Sequence, residues 1–366
     1  MGRKIPVTVV SGFLGSGKTT LLNRLLSQAS GSASANDHDR VVVLINELGD
    51  IGLDHERFLQ LSDRIVLLES GCICCAVRGD LVNALRQLFL DALYKRIPPF
   101  SRLLIETTGI ADPAPVMYTL QYERFLADRY AYAGCITVVD AEHGMEQLRL
   151  HAEAVQQVAL ADVLLISKTD ISASKKIPAL QHELQRLNSS APLLLTQSQP
   201  GLNALLDMAA DTRRHIPRGT VSMWSGRAMG RHEAHTGVGV LTLTWAQPWV
   251  RSQGVRGLSE LLAGLGQGLL RLKGRVWFRG EQQASAVHAV HQHLYPLEAI
   301  VDSAPCVQSV SPDNDVQAGG RDSIDDRDSV LLFIYRDLEA AGVLQKIRAL
   351  LPDGARVLSS EGNFIQ

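Results

Sequence analysis

The chain has 366 residues, of which 46% are hydrophobic and 20% are charged, and its formal net charge is −2. This composition is typical of a globular protein with about two domains. Because its charges balance, the sequence shows no electrostatic footprint for nucleic acid or an anionic membrane. No apolar run approaches the ~18 residues that a transmembrane helix needs, and the N-terminus lacks a signal-peptide core. We therefore expect neither a nucleic-acid partner nor a membrane partner.

Cysteine usage indicates the compartment. The chain has five cysteines, and three of them fall within the four positions 72–75, where they cannot all pair with one another. Such usage favours reduced thiols over a disulfide framework. We therefore expect a cytoplasmic protein.

The N-terminal part of the chain alternates short apolar runs with helical patterns. Leu21, Leu22, Leu25 and Leu26 form one apolar helical stripe, and a second stripe starts at Leu81. Several runs are apolar throughout, as expected for strands that are covered on both faces. This alternation predicts an α/β domain with a doubly wound, mostly parallel sheet over residues 1–215. The predicted strands are 7–10, 41–45, 65–68, 103–105, 136–139 and 163–166.

The C-terminal part predicts a second, smaller domain. Periodicity weakens in a stretch rich in Arg, Gly, His and Ser, so we interpret residues 216–236 as a linker. Beyond it, strand and helix patterns predict an α+β domain over residues 237–366. The polar, turn-rich segment 311–329 predicts a flexible surface loop. The predicted strands are 238–245, 275–278, 286–294 and 330–335, and the predicted helices are 258–272 and 338–351.

Residues 12–19 match the phosphate-binding pattern GxxxxGKT between a predicted strand and a predicted helix. The glycines let successive N–H groups point inward as an anion nest, and the helix adds its positive dipole end. Lys18 should reach the β- and γ-phosphates and Thr19 should ligate Mg²⁺, so both are candidate catalytic residues. The alternative is a glycine-rich turn with a coincidental Lys-Thr. The candidate nucleotide-binding residues here are Gly12, Phe13, Leu14, Gly15, Ser16, Gly17, Lys18, Thr19 and Thr20.

A second part of the predicted nucleotide site follows the strand 103–105. Glu106 ends this apolar strand, where a Walker B acid belongs, so it is a candidate catalytic and magnesium-binding residue. Gly109 is a candidate nucleotide-binding residue because a glycine there can let the backbone approach a γ-phosphate. The alternative for Glu106 is a solvated acid at the end of a buried strand.

The segment Ser167–Asp170 follows the strand 163–166 and has the pattern of a guanine-reading loop. The Asp170 carboxylate can accept from guanine N1–H and the exocyclic amine, whereas adenine presents an acceptor at N1. The Lys168 stem would lie over the purine plane. Ser167 stands where Asn is usual, which is expected to weaken guanine binding by about 1 kcal/mol. GTP is the predicted nucleotide, and ATP is the alternative.

Cys72, Cys74 and Cys75 form a compact thiol cluster after the strand 65–68. Their sulfurs can converge on one Zn²⁺, which takes tetrahedral thiolate ligands at ~2.3 Å, although thiolates also suit Cu(I). Structural zinc sites are closed by four protein ligands, so three ligands indicate an open site that suits catalysis or transfer. The alternatives are a redox pair and cysteines that only pack in the core.

Together these motifs resemble the CobW-type branch of the metallochaperone GTPases, relatives of UreG and HypB. The resemblance covers nearly the whole chain. It includes the phosphate loop, the segment Asn46–Asp50, the CxCC cluster, Glu106–Gly109 with Asp112 and Pro113 after it, and the Lys168–Asp170 loop. In the second domain it covers 272–277 and 291–296. Two departures are Ser167 in place of Asn and Asp50 where the family often has Glu.

The resemblance implies a GTPase that uses GTP and Mg²⁺, binds Zn²⁺ at the three cysteines and passes it to a client metalloprotein. Glu47 is carried over from the matching switch position as a phosphate-state sensor or metal neighbour. A homo-oligomer is left open. The alternatives are a nucleotide-dependent enzyme or cobalt-handling protein of cobalamin synthesis, and a zinc-sensing GTP-binding regulator.

Nucleotide state and metal could be coupled through the sheet. Ligands collect at the carboxyl ends of strands in doubly wound sheets, so the switch segment 46–54 and the cysteine loop should lie near the γ-phosphate. Further histidines, at 288, 291 and 293 and in the linker at 232 and 235, are either auxiliary zinc ligands or packing residues. The strand pattern puts His291 and His293 on one face.

Overall fold

The computed structural model describes residues 4–30, 40–45, 67–69, 78–172, 176–198, 200–214, 237–300, 327–358 and 364–365. The described residues up to Arg213 belong to one compact unit, and those from Gly237 on belong to a second. The predicted linker 216–236 and most of the predicted loop 311–329 lie outside the described residues. The proposed domain limits therefore stay predictions.

The N-terminal unit is built on a parallel sheet. Its strands are β1 (Ile5–Ser11), β2 (Val41–Ile45), β3 (Leu67–Glu69), β4 (Arg102–Glu106), β5 (Tyr130–Asp140), β6 (Val163–Ser167) and β7 (Leu193–Leu195). They form a seven-stranded sheet in the order β3-β2-β4-β1-β5-β6-β7. Every described pairing is parallel, which confirms the predicted α/β fold.

Helices connect these strands. They are α1 (Lys18–Ser30), α2 (Arg78–Leu93), α3 (Ala114–Tyr122), α4 (Arg124–Arg129), α5 (Gly144–Leu150), α6 (Ala152–Leu160), α7 (Lys176–Leu187) and α8 (Leu202–Arg214). The predicted stripe of α1, from Leu21 to Leu26, is buried in one core with residues of β1, β2 and α8. Leu81, Leu85 and Leu88 of α2 are also buried, as their spacing predicts.

The strand register aligns several strand ends at one edge of the sheet. Ile45 at the end of β2 pairs with Glu69 on one side and Glu106 on the other. Asp140 and Ser167, the last residues of β5 and β6, also pair. Because parallel strands point the same way, the segments that follow these residues all leave from the carboxyl edge. That edge carries the candidate site.

The C-terminal unit contains an antiparallel sheet with two helices. Its strands are β8 (Val238–Trp245), β9 (Leu269–Val276), β10 (Ser285–Val290), β11 (His293–Leu294), β12 (Glu298–Ala299), β13 (Ser329–Arg336), β14 (Arg356–Leu358) and β15 (Phe364–Ile365). The helices α9 (Arg251–Leu265) and α10 (Ala340–Leu350) pack on one hydrophobic core with this sheet. This arrangement confirms the predicted α+β class. Across the described ranges, no helix is both long and apolar enough to cross a membrane.

Two sequence predictions in this unit are wrong. The predicted helix 258–272 ends at Leu265, where Gly266 takes φ +59° as its C-cap, and residues 269–276 form β9 instead. β9 lies between β10 and β13, and its leucines are buried. Because a short run of buried apolar residues does not alternate, its pattern cannot be distinguished from that of a buried helix. The predicted strand 286–294 is interrupted at His291, which adopts φ +50°. His291 and His293 therefore do not share one strand face.

Candidate nucleotide site

The phosphate loop lies between β1 and α1, and α1 begins at Lys18. Gly12 adopts φ +142°, and a Cβ there would lie 2.3 Å from the Val138 carbonyl oxygen. Only glycine fits this position, because both its backbone conformation and the neighbouring strand exclude a side chain. The loop is therefore held tightly against β5.

Lys18 is buried and folds back over its own loop. Its Nζ donates to the carbonyl oxygens of Gly12, at 2.9 Å, and Phe13, at 3.3 Å. Charge-assisted hydrogen bonds to phosphate are stronger than bonds to neutral carbonyls. The ammonium group can therefore exchange these carbonyls for phosphate oxygens with a small movement of its flexible stem.

Thr19 and Glu106 are brought together across 87 residues of sequence. The Thr19 hydroxyl donates to Glu106 Oε1 at 2.7 Å, and Glu106 is only 2% exposed at the end of β4. A hydroxyl and a carboxylate are hard oxygen donors of the kind that Mg²⁺ prefers. These residues therefore fit a magnesium ion bound beside the phosphate loop.

Gly109 lies in the connection between β4 and α3, residues 107–113, which we call the β4–α3 loop. A Cβ at Gly109 would lie 2.6 Å from the backbone of Leu14, so the β4–α3 loop packs directly on the phosphate loop. This contact gives a structural reason for glycine at this position. At the end of the loop, Asp112 Oδ1 accepts the Ala114 N–H at 2.8 Å at the start of α3.

Ser167 is buried and bonds to the phosphate loop. Its hydroxyl lies 2.6 Å from the Ser16 carbonyl oxygen and 3.3 Å from that of Val139. A serine hydroxyl has one hydrogen to donate, and the shorter contact indicates Ser16 as its acceptor. Sequence reasoning treated Ser167 only as a weaker substitute for Asn. In the structure it ties residues 167–170, which we call the base loop after their predicted role, to the phosphate loop.

Lys168 and Asp170 follow in the base loop. Lys168 adopts φ +56°, and its Nζ donates to Asp140 Oδ2 at 2.7 Å. Asp170 is exposed. The structure therefore bonds Ser167 to the phosphate loop and Lys168 to Asp140, and it leaves Asp170 exposed.

Asp140 is the residue that sequence reasoning missed here. Its side chain is 2% exposed. Besides the bond from Lys168, its Oδ1 accepts the Glu142 N–H at 2.7 Å, and its Oδ2 lies 3.2 Å from His143 Nδ1. Burial alone would raise the pKa of Asp140, but the hydrogen bonds from Lys168, Glu142 and His143 hold it below its ordinary value. The available signal was an acidic residue that ends a buried strand, the same signal that marked Glu106.

The predicted metal ligands Cys72, Cys74 and Cys75, and Glu47, lie outside the described residues. The structure does place the start of the cysteine segment, because β3 ends at Glu69. β3 is separated from β4 only by β2, and neighbouring strands lie ~4.8 Å apart, so Glu69 is about 10 Å from the strand that carries Glu106. Within the described ranges, no group of three or more potential metal ligands is present.

His288 and His291 of the C-terminal unit make packing contacts. The His288 ring lies edge-on to Tyr295 with ring centroids 4.8 Å apart. His291 Nδ1 lies 2.8 Å from the Leu269 carbonyl oxygen, and both histidines are buried. These contacts favour packing over metal binding. The histidines at 232 and 235 lie outside the described residues.

The parallel sheet, the glycine-rich loop with its lysine, and the threonine–carboxylate pair define a P-loop nucleotide-binding protein. The chain belongs to the CobW/HypB/UreG family. The profile of that family's nucleotide-binding domain matches residues 6–195. The profile of the cobalamin synthesis protein cobW C-terminal domain matches residues 239–351.

Individual relatives extend this assignment. The chain is 33% identical over 295 residues to the zinc chaperone YjiA of Escherichia coli, covering 80% of this chain and 88% of that protein. It is 32% identical over 200 residues to the zinc-regulated GTPase metalloprotein activator 1 of Schizosaccharomyces pombe, covering 52% and 46%. The crystal structure of Zn(II)-bound YjiA GTPase from E. coli matches with a TM-score of 0.67 and 25% identity, covering 96% of this chain and 100% of that one.

Proposed function

We propose that this protein is a GTP-hydrolysing metallochaperone that binds zinc at Cys72, Cys74 and Cys75 and transfers it to a client apoprotein. The observation that carries the proposal is that the segment leading to the cysteines and the strand that carries Glu106 end at the same edge of the sheet. Ile45 pairs with both Glu69, which precedes the cysteines, and Glu106, which holds Thr19. The similarity to zinc chaperones supports the same function.

The phosphate loop (residues 12–19) and Glu106 form the phosphate end of the site, and this end performs the hydrolysis. Backbone N–H groups of the phosphate loop and the α1 N-terminus bind the phosphates, and Lys18 neutralises charge that develops on the β- and γ-phosphates. Thr19 and Glu106 would hold Mg²⁺, which supplies charge stabilisation to the transferred phosphoryl group when bound. The catalytic contribution of these side chains is mainly electrostatic, because they are fixed in place before the reaction.

Residues 167–170 and Asp140 form the base end of the site, and this end selects GTP over ATP. Asp170 accepts hydrogen bonds from the N1–H and amine groups of guanine, while Lys168 lies along the purine face. Asp140 holds the Lys168 ammonium at 2.7 Å, so the lysine stem is oriented before the nucleotide arrives. Ser167 fixes the distance between the base loop and the phosphate loop through Ser16.

Zinc is the cargo in this proposal. Three thiolates leave one coordination position for water, a protein oxygen or a ligand from the client, so the ion can leave by ligand exchange. Triphosphate would order the segment after Ile45, with Glu47 as its sensor, and hydrolysis would release it. This change alters the surroundings of the thiolates and lowers their affinity for zinc.

The thiol chemistry also fits a compartment and a class of partner. Three closely spaced thiolates stay reduced in a cytoplasm, which is where we place the protein. Its partner is an apo-metalloprotein that receives zinc. Such a partner must supply ligands that compete with three thiolates, since otherwise the ion would not transfer.

A transfer assay tests this function. The zinc-loaded protein is mixed with a candidate apo-metalloenzyme in the presence of GTP, a non-hydrolysable GTP analogue or GDP, and enzyme activity is measured. Activation should require GTP and should be lost in Cys74→Ala. It should persist in the control Cys306→Ala, because this cysteine lies far from the cluster in the sequence. Zinc that changes partner association without leaving the protein would indicate a sensor instead. Activation that is equal with all three nucleotides would contradict the proposal.

A further inference from the structure

Gln157 links helix α6 to the β4–α3 loop. It lies in the middle of α6 and is only 1% exposed. Its Nε2 donates to the carbonyl oxygens of Gly109, at 3.1 Å, and Ala111, at 3.0 Å. One buried amide group therefore binds two positions of the loop that packs on the phosphate loop.

The chemistry of these contacts fixes the orientation of the amide. Both neighbours are carbonyl oxygens, which only accept, so the nitrogen of Gln157 must face them and both of its hydrogens are used. The Oε1 atom is buried and has no hydrogen-bond partner among the described residues. A glutamate here would place an oxygen against two carbonyl oxygens, so only a side chain with two donors can make this link.

Helix α6 is itself anchored to the rest of the nucleotide site. The Thr137 hydroxyl on β5 donates to the Gln157 carbonyl oxygen at 2.9 Å. At the N-terminus of α6, the His151 ring stacks on Phe13 of the phosphate loop with centroids 4.6 Å apart. The helix is therefore a fixed support that contacts both the phosphate loop and the β4–α3 loop.

The two hydrogen bonds also orient the backbone of the β4–α3 loop. In a trans peptide the carbonyl and the following N–H point in opposite directions. Because Gln157 holds the carbonyls of Gly109 and Ala111, the N–H groups of Ile110 and Asp112 point away from α6. These two amides therefore have a fixed direction in the loop beside the phosphate loop.

We propose that Gln157 is a positioning residue that holds the β4–α3 loop in the geometry that recognises the γ-phosphate. This inference rests on the proposed GTP function and deepens it, because it assigns the control of triphosphate recognition to a residue on a different helix. Gln157 touches no nucleotide itself. It acts through the backbone of Gly109 and Ala111.

The test separates triphosphate from diphosphate binding. Dissociation constants for fluorescent GDP and a fluorescent non-hydrolysable GTP analogue are measured for the wild type, for Gln157→Met and for the neighbouring control Gln156→Met. Loss of two neutral hydrogen bonds should weaken binding of the GTP analogue about tenfold in Gln157→Met, while GDP binding stays within about twofold. The control should bind both nucleotides like the wild type.

The outcomes separate the inference from the function on which it depends. If Gln157→Met binds both nucleotides equally more weakly than the wild type, or binds both as tightly, the role of Gln157 would be overturned and the proposed function left intact. A wild type that binds neither nucleotide would overturn both. If Gln157→Met does not fold, hydrogen exchange of the wild type decides the question. The GTP analogue must then protect 107–113 and 152–160 together relative to GDP, and unchanged exchange over 152–160 would overturn the inference.

Discussion

At the phosphate end of the site, Lys18 folds onto carbonyl oxygens of its own loop, whereas at the base end Lys168 is held by Asp140 from the neighbouring strand. The phosphate end is mostly local in sequence, although its Thr19–Glu106 bond spans 87 residues. The base end depends on contacts across strands, including the bond from Ser167 to Ser16. We therefore expect changes at the phosphate end to remove activity and changes at the base end to alter nucleotide choice and affinity.

The largest effect is expected at the phosphate end. Lys18→Ala removes the ammonium group that neutralises the phosphates, so kcat/KM for GTP should fall about a thousandfold in a phosphate-release assay. The exposed Lys4→Ala is the matched control and should hydrolyse GTP at the wild-type rate. Near-normal hydrolysis by Lys18→Ala would show that the loop is not the catalytic site.

A change of nucleotide preference is expected at Asp170. Asp170→Asn replaces the acceptor carboxylate with an amide that can donate to the C2 oxygen of xanthine. The ratio of kcat/KM for GTP to that for XTP should fall at least tenfold, because a mismatch of hydrogen-bond donors and acceptors with the base is costly. If the ratio does not move in steady-state assays with both nucleotides, Asp170 does not read the base.

A smaller effect is expected at Asp140, which positions Lys168 without touching the base. Asp140→Asn removes the charge that holds the ammonium group, so KM for GTP should rise about tenfold while kcat changes little. The exposed Asp207, which pairs with Arg102 at 2.6 Å, gives the control Asp207→Asn. A drop in kcat with unchanged KM would place Asp140 in the phosphate chemistry instead.

The pH dependence of stability tests the charge state of Asp140 separately. Its pKa lies below the ordinary 3.8 in the folded protein, so it contributes stability above that pH and loses it as the pH falls through the folded pKa. The difference in free energy of unfolding between the wild type and Asp140→Asn should be constant near neutral pH and shrink as the pH falls below 3.8. Urea denaturation in both pH ranges measures it. A difference that grows with acidity would contradict the assigned ion pair.

The smallest effect is expected at Ser167. Ser167→Ala removes one neutral hydrogen bond to the phosphate loop, worth about 1 kcal/mol, so GTP affinity should fall about fivefold. Isothermal titration with the GTP analogue measures the change, with the exposed Ser259→Ala in the C-terminal unit as control. An unchanged affinity would mean that the base loop keeps its position without this bond.

The same difference between the two ends explains which site residues could be predicted from the sequence. Lys18 and Thr19 belong to a contiguous pattern whose spacing follows from the geometry of a loop that binds phosphate. Asp140 and Gln157 act on residues that are 28 and 46–48 positions away. A single Asp or Gln has no such pattern around it in the sequence, so its partner can be identified only from the folded structure.

The fold shows a similar division. The parallel sheet was predictable because its strands are short apolar runs separated by clear helical stripes. The helix predicted over 258–272 was wrong because a central strand that is buried on both faces has no alternation, and β7, with three residues, is too short to leave a pattern. The metal-binding role of the cysteine cluster stays a prediction from a chemical motif, since three thiols in four positions favour metal binding regardless of the fold.

The most direct measurement is the zinc dissociation constant of the protein with GTP analogue, with GDP and without nucleotide. A competition titration against a fluorescent zinc chelator gives all three values under one set of conditions. We expect zinc to bind at least tenfold more tightly with the GTP analogue than with GDP, and the difference to disappear in Cys74→Ala. Three identical constants in the wild type would contradict nucleotide control of zinc.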